Sequence, residues 1–257
     1  MKYIALLTMI AIISIIIIKS SIASELSAVA NSSRQLIVVI TPSWNDLKAR
    51  MYRFERSEKV WQKLPGRYDA VVGSKGMAWG IGFHGSAETD PVKKEGDRKA
   101  PAGKFGLIKA MGYASTPPVG VAFPYEQIKD NAHCVDDKDS QYYNRIVKES
   151  DLTAPAADLW KSSEIMKRKD DLYKWLIVVN HNVKDPKPDA GSCIFIHVWR
   201  SAEKGTAGCT AMAEKDIVEL ITWLKSDSDP VLVQLPQAVY EQYWKQWGLP
   251  APTTFLQ

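Results

Sequence analysis

A histidine and a cysteine twelve positions apart, His197 and Cys209, are the residues of this 257-residue chain whose types can make and break an acyl bond. His197 closes the apolar run Ser192-Cys193-Ile194-Phe195-Ile196-His197, and Cys209 stands among small residues in Thr206-Ala207-Gly208-Cys209-Thr210. A free thiol with a pKa of about 8.5 is only a few per cent ionised at neutral pH. An imidazole beside it takes the proton, and the imidazolium so formed stabilises the thiolate. Gly208 leaves room for a bulky acyl group, and backbone N–H groups around Gly208, Cys209 and Thr210 can form an oxyanion hole. This is the equipment of covalent acyl transfer, with Cys209 as nucleophile and His197 as general base and acid. No aspartate or asparagine has an evident claim to orient the imidazole, so a backbone carbonyl is the expected third group. A core histidine near an idle thiol would carry the same two residue types, so the pair alone does not decide the matter.

The elements that must position the pair read mostly as strands. Gln35–Thr41, Leu47–Glu55, Tyr68–Val72, Trp175–His181, Cys193–Trp199 and Val231–Leu235 are short apolar or alternating runs bounded by turn residues. Met77–Phe83 reads as a strand interrupted by glycines, and Arg98–Leu107 runs from a turn into a short strand. Glu214–Lys225 is an amphipathic helix with Ile217, Leu220, Ile221 and Leu224 on one face. Ala238–Trp247 is a final short helix. Ser162–Tyr173 also reads as a helix, with a serine start and Glu164 four residues before Arg168. Tyr113–Leu159 is irregular and proline-rich, a candidate lid. Lys94, Glu95, Asp97 and Arg98 read as a solvated mixed-charge turn. The pattern predicts a mainly β fold, sandwich or barrel-like, with helical additions.

Compartment bears on the thiols. Lys2 followed by the apolar run Tyr3–Ile18 and then Ser21-Ile22-Ala23 reads as a signal peptide, residues 1–23, cleaved after Ala23. The run falls short of the ~20 apolar residues that cross a bilayer comfortably, so contact with a membrane is expected only if this segment stays uncleaved. Residues 24–34 read as a linker, 35–235 as the catalytic domain and 236–257 as a C-terminal helical extension. The net charge of +4 falls to +2 without Lys2 and Lys19, and the basic residues are scattered, which argues against a nucleic-acid binder. Export favours a disulfide between two of the three cysteines, Cys134, Cys193 and Cys209, and leaves one thiol over. Spacing alone does not say which two pair. On a strand, Cys193 and His197 would stand roughly 13 Å apart, too far for a thiol–imidazole hydrogen bond. Cys209 lies beyond the polar Arg200–Gly205 connection, where the chain can turn back to the histidine. Cys134 and Cys193 are then the expected disulfide. The chain holds no HExxH, no clustered Cys/His spacing and no GxxxxGK[ST], so neither a metal nor a nucleotide cofactor is indicated.

The stretch from Cys193 to Met212 resembles the catalytic stretch of the L,D-transpeptidases of bacterial cell walls. Their pattern is a strand ending in His, a loop, then a small residue, His, Gly and the nucleophilic Cys. Here His197, Thr206, Gly208 and Cys209 fall in step. Pro101-Ala102-Gly103-Lys104-Phe105 is similar to the family's strand opening. Lys94-Glu95-Gly96-Asp97, Cys134-Val135-Asp136-Asp137 and Ile196-His197-Val198-Trp199-Arg200 resemble one bacterial subgroup. The likeness runs from about Gln35 to Leu235. Ala207 departs from it, since the family has His directly before Gly-Cys, and this leaves substrate positioning and the balance of transfer against hydrolysis open.

The resemblance implies attack of Cys209 on the carbonyl of the diamino acid at position three of a peptidoglycan tetrapeptide stem. D-alanine leaves, and the thioester passes to an amine of a second stem as a 3–3 cross-link. With water as acceptor the same enzyme is an L,D-carboxypeptidase. A catalytically idle peptidoglycan-binding module is the alternative from another class. Trp199, Arg200, Thr206 and His181 are the candidate substrate-binding residues, Arg200 for a stem carboxylate. Acylation of Cys209 by carbapenem-type inhibitors is a further implication.

Overall fold

The computed structural model describes residues 32–86, 89 and 91–256. The expected signal peptide and most of the linker lie outside the described residues. Among the described residues, no helix is long and apolar enough to cross a membrane.

Eight strands close a barrel-like sheet. They are β1 (Gln35–Thr41), β2 (Lys48–Ser57), β3 (Tyr68–Val71), β4 (Ala100–Gly112), β5 (Trp175–Val179), β6 (Phe195–Val198), β7 (Thr210–Met212) and β8 (Val231–Pro236). The ring runs β1-β8-β4-β5-β6-β7-β3-β2 and returns to β1 through the pairing of Leu36 with Phe54 and its neighbours. Closure leaves no open edge in the ring. It also resolves the sandwich-or-barrel expectation in favour of the barrel. β1 and β8 are continuous apolar runs and are buried along their whole length. Two neighbouring pairs are parallel, β1 with β8 and β6 with β7. Helices α1 (Glu214–Trp223) and α2 (Gln237–Tyr243) pack on the ring, α1 through Ile217, Leu220 and Ile221. Tyr240, Leu249 and Phe255 join the same core as the barrel strands.

β4 is thirteen residues long, well beyond the short strand expected there. Its Gly103 has φ +140°, and a Cβ at that position would stand 2.0 Å from the His84 ring. Only glycine fits, because the strand must pass beneath an imidazole that accepts the Lys104 N–H at Nδ1 (3.1 Å).

Alternation on β5 and β6 builds two cores. Ile177, Val179, Ile194 and Ile196 face the barrel interior. Leu176, Val178, Cys193, Phe195 and Cys209 face outward into a second cluster with Cys134, Met166 and Tyr173. That outer face is covered by the long excursion between β4 and β5. The excursion carries a three-stranded sheet of Ala132–Val135, Ile146–Lys148 and Ser163–Ile165. The helix expected over Ser162–Tyr173 does not form. Ser163–Ile165 pairs with His133–Val135, and turns follow. Tertiary partners displace the local i, i+4 pair: Glu164 accepts the Tyr173 hydroxyl, and Arg168 binds Asp170 through two nitrogens at 2.8 and 2.7 Å. Burial of Met166 and Tyr173 in the second core favours the extended path.

Candidate active site

The parallel β6–β7 ladder sets the site. Ile196 pairs with Thr210 and His197 with Ala211, so Cys209 enters the ladder beside Phe195, one same-face step before His197. His197 and Cys209 are diagonal neighbours on adjacent strands, their Cβ atoms roughly 8 Å apart from two residues of rise and one interstrand spacing, a gap that the two side chains can span. The Phe195 N–H donates to Cys209 Sγ at 3.3 Å, and the thiol donates to the Cys193 carbonyl at 3.4 Å. Cys193 has φ +55° and lies just before β6 rather than on it. It is bonded to Cys134, with Cα atoms 5.9 Å apart, so of the chain's three cysteines Cys209 is the free one.

The loop ahead of Cys209 is held from behind. Thr206 Oγ1 donates to the Cys209 carbonyl at 2.6 Å and accepts the Gly208 N–H at 3.1 Å. The Gly208 N–H is therefore engaged within the loop. A Cβ on Gly208 would lie 3.3 Å from the Lys99 carbonyl oxygen and 3.9 Å from Lys93 Cε, so a side chain here would press on the neighbouring segment.

His197 is buried, and its Nδ1 donates to the Val198 carbonyl at 2.8 Å. A carbonyl can only accept, which leaves Nε2 as the basic nitrogen. Tyr173 stands edge-on to the imidazole at 5.1 Å, with the Arg168 guanidinium 5.2 Å over the tyrosine ring. Burial holds the imidazole down to about 4, assisted by the Arg168 charge and opposed by the Val198 and Leu172 carbonyls. Burial pushes the Cys209 thiol well up, and the Glu164 carboxylate adds to the rise. The Phe195 N–H, Lys93 and Arg168 act in the opposite direction. The resting pair at neutral pH is therefore a thiol and a neutral imidazole.

A cavity of about 250 Å³ opens over His197, lined by Glu164, Arg168, Tyr173, Trp199, Arg200 and Thr206 among others. Trp199, Arg200 and Thr206 thus stand at the cavity with the histidine. Arg200 is bound to Asp170 at 2.8 Å and ties the loop between His197 and Cys209 to the turn after Ser163–Ile165. His181 is not among the lining residues. Its Nδ1 accepts the Ile81 N–H at 3.2 Å and its Nε2 donates to the Ala190 carbonyl at 3.1 Å. Burial, followed by the Lys93 charge, lowers it to about 3, so it is a neutral strut between backbone segments.

Near the thiol, Lys93 and Tyr173 carry no individual signal in the sequence, and Glu164 reads there only as the helical partner of Arg168. Lys93 is buried and threads past Gly191 and Gly208, its ammonium on Asp97 Oδ1 and the Lys94 carbonyl, both at 2.6 Å. The solvated turn expected over residues 94–98 is in part a built support. Asp97 also receives the N–H groups of Lys94 and Lys99, and Glu95 Oε2 accepts from Tyr143 at 2.6 Å and Ser192 at 2.7 Å. Lys93 lies one residue before the segment that resembles the bacterial subgroup, and that adjacency was the available hint. Among the described residues, no group of three His, Cys, Asp or Glu side chains is placed to hold a metal.

Residues 37–233 match the sequence profile of YkuD, the L,D-transpeptidase catalytic domain. No curated protein shows significant sequence similarity. Among solved structures, the helical cell shape determining protein Pgp2 from Campylobacter jejuni is similar at 14% identity and a TM-score of 0.33, over 83% of this chain. The chain spans 55% of the length of that protein.

Proposed function

The chain belongs to the YkuD family of L,D-transpeptidase catalytic domains, and on that premise we propose that it is a cell-envelope cysteine acyltransferase acting on the stem tetrapeptide of peptidoglycan. The observation that carries this reading is the parallel β6–β7 register, with His197 and the one free thiol a single same-face step apart.

In this reading the stem enters the cavity beneath Trp199 and Arg200. Burial keeps both partners neutral at rest, so proton transfer from Sγ to His197 Nε2 accompanies attack rather than preceding it. Sγ bonds to the carbonyl carbon of the diamino acid at position three, and the oxyanion forms beside the Cys209 N–H and the buried Lys93 charge. Collapse breaks the peptide bond, and His197 returns the proton to the departing D-alanine nitrogen. The Val198 carbonyl fixes the ring tautomer through this cycle, and Thr206 fixes the backbone of the nucleophile. An amine of a second stem then takes the acyl group as a 3–3 cross-link, and water in its place gives L,D-carboxypeptidase activity.

The test is incubation of the protein with disaccharide-tetrapeptide, followed by intact mass and product analysis. Loss of D-alanine with an acyl adduct on Cys209 is expected. Dimers identify transfer, and tripeptide alone identifies hydrolysis. Full turnover by Cys209→Ala would overturn the mechanism. Binding of the muropeptide without adduct or turnover would point to a non-catalytic module.

A further inference from the structure

A second cavity, of about 460 Å³, lies across Trp199 from the catalytic one, and Trp199 is a wall of both. Its floor is the outer side of β2 and β3, with Lys48, Arg50, Arg67 and Asp69, and its rim is the catalytic loop at Trp199 and Glu203. Lys48 is neutralised by Glu203 at 2.6 Å. Arg50 and Arg67 are exposed, and among the described residues their guanidiniums engage no hydrogen bond, ion pair or ring. Asp69 faces Arg50 across the β2–β3 ladder. It too forms no ion pair among the described residues.

Two unpaired guanidiniums in one concavity repel each other, and a carboxylate placed between them relieves that repulsion with bidentate hydrogen bonds. A carboxylate beside them suits an ammonium. The groove therefore presents the complement of a peptide that carries both carboxylates and a side-chain amine, next to the wall of the site that makes the thioester.

We propose that this groove seats the second stem peptide, the acyl acceptor, with its carboxylates on Arg50 and Arg67; this rests on the acyltransferase reading above. The seated stem directs its side-chain amine around Trp199 to the thioester. The amine nitrogen bonds to the acyl carbon, the C–S bond breaks, and Cys209 leaves as thiolate. His197 takes the proton lost by the nitrogen and returns it to Sγ.

Two measurements on the full chain test this. In the first, wild type and the Arg50→Ala/Arg67→Ala variant turn over a fixed donor tetrapeptide whose side-chain amine is acetylated, so that it cannot accept, with varied acceptor. Release of D-alanine without acceptor is expected to be unchanged, which also reports that the variant folds. The KM for acceptor is expected to rise about tenfold or more, and the Arg50→Lys/Arg67→Lys variant to fall between. In the second, tetrapeptide is titrated into Cys209→Ala, where two stems per chain are expected, and one once both arginines are also replaced by alanine. An acceptor KM that does not move, or a single stem bound before the arginines are removed, overturns the proposal. So does displacement of the arginine-dependent stem by stem-free disaccharide. Absence of D-alanine release from wild type, with two-site binding intact, removes the acyltransferase reading and leaves the groove standing as a stem site.

Discussion

His197 at about 4 sets the acid limit of the proposed reaction. Only the neutral imidazole accepts the thiol proton, and kcat/KM reports the free enzyme. The kcat/KM for D-alanine release is therefore expected to hold from neutral pH down to about 4 and then to fall about tenfold per unit, as its pH profile would show. A break near 6.5 instead would mean that the ring is solvated in the working enzyme. Replacing His197 with Gln is expected to cost about 10²–10⁴ in the same rate with the fold retained by circular dichroism. Thr206→Ala removes the hydrogen bonds to the Cys209 carbonyl and the Gly208 N–H. It is expected to lower both unfolding free energy, by about 1–2 kcal/mol, and acylation, with Thr206→Ser restoring both. At this scale residue type and spacing made His197 and Cys209 candidates, and the resemblance of the surrounding segment was needed to prefer them over a core histidine and an idle thiol. Lys93 is not legible there, because a lysine in a charged segment reads as solvated until the fold buries its stem against two glycines.

Elements follow their patterns where burial and periodicity agree. β1 and β8 were legible as apolar runs and α1 as an amphipathic face, since each buries the residues its own period collects. Ser162–Tyr173 misleads because its helical features are local and weak, while Tyr173 and Met166 have a core to enter only if the chain runs extended. Gly103 offers the sharpest test of an element. A side chain there meets both a backbone conformation reserved for glycine and the His84 ring. Gly103→Ala is expected to lose about 1–3 kcal/mol from the backbone alone, read by denaturant midpoint. His84→Ala in the same background is expected to recover only the steric part.

For the whole molecule, stability depends on the covered outer face. The Cys134–Cys193 bond joins the excursion to the segment just before β6 across 59 residues, and loop entropy makes it worth about 4 kcal/mol. Reduction is expected to lower the unfolding midpoint and to loosen the cover over Cys209, read as faster alkylation of that thiol. Acid acts through His84, His181 and His197, all held neutral chiefly by burial, at about 4, 3 and 4. Their folded values lie below the unfolded value of about 6.5, so the unfolded chain binds the extra protons. The stabilisation is complete above 6.5 and is lost as pH falls from there towards 4, on the order of 3 kcal/mol for a fully buried ring. Urea unfolding at pH 7 and pH 4.5 measures it, and equal stability at the two values would contradict the burial. By itself the sequence determined the nucleophile and base candidates, the strands that carry them and the mainly β class, because residue chemistry and alternation are local properties. Tertiary structure alone decided that the ring closes, that β6 and β7 run parallel so that thiol and imidazole share an outward face, and that an excursion built on a three-stranded sheet buries both. Those outcomes depend on which distant strands pair and on what covers them, and no local window of sequence records either.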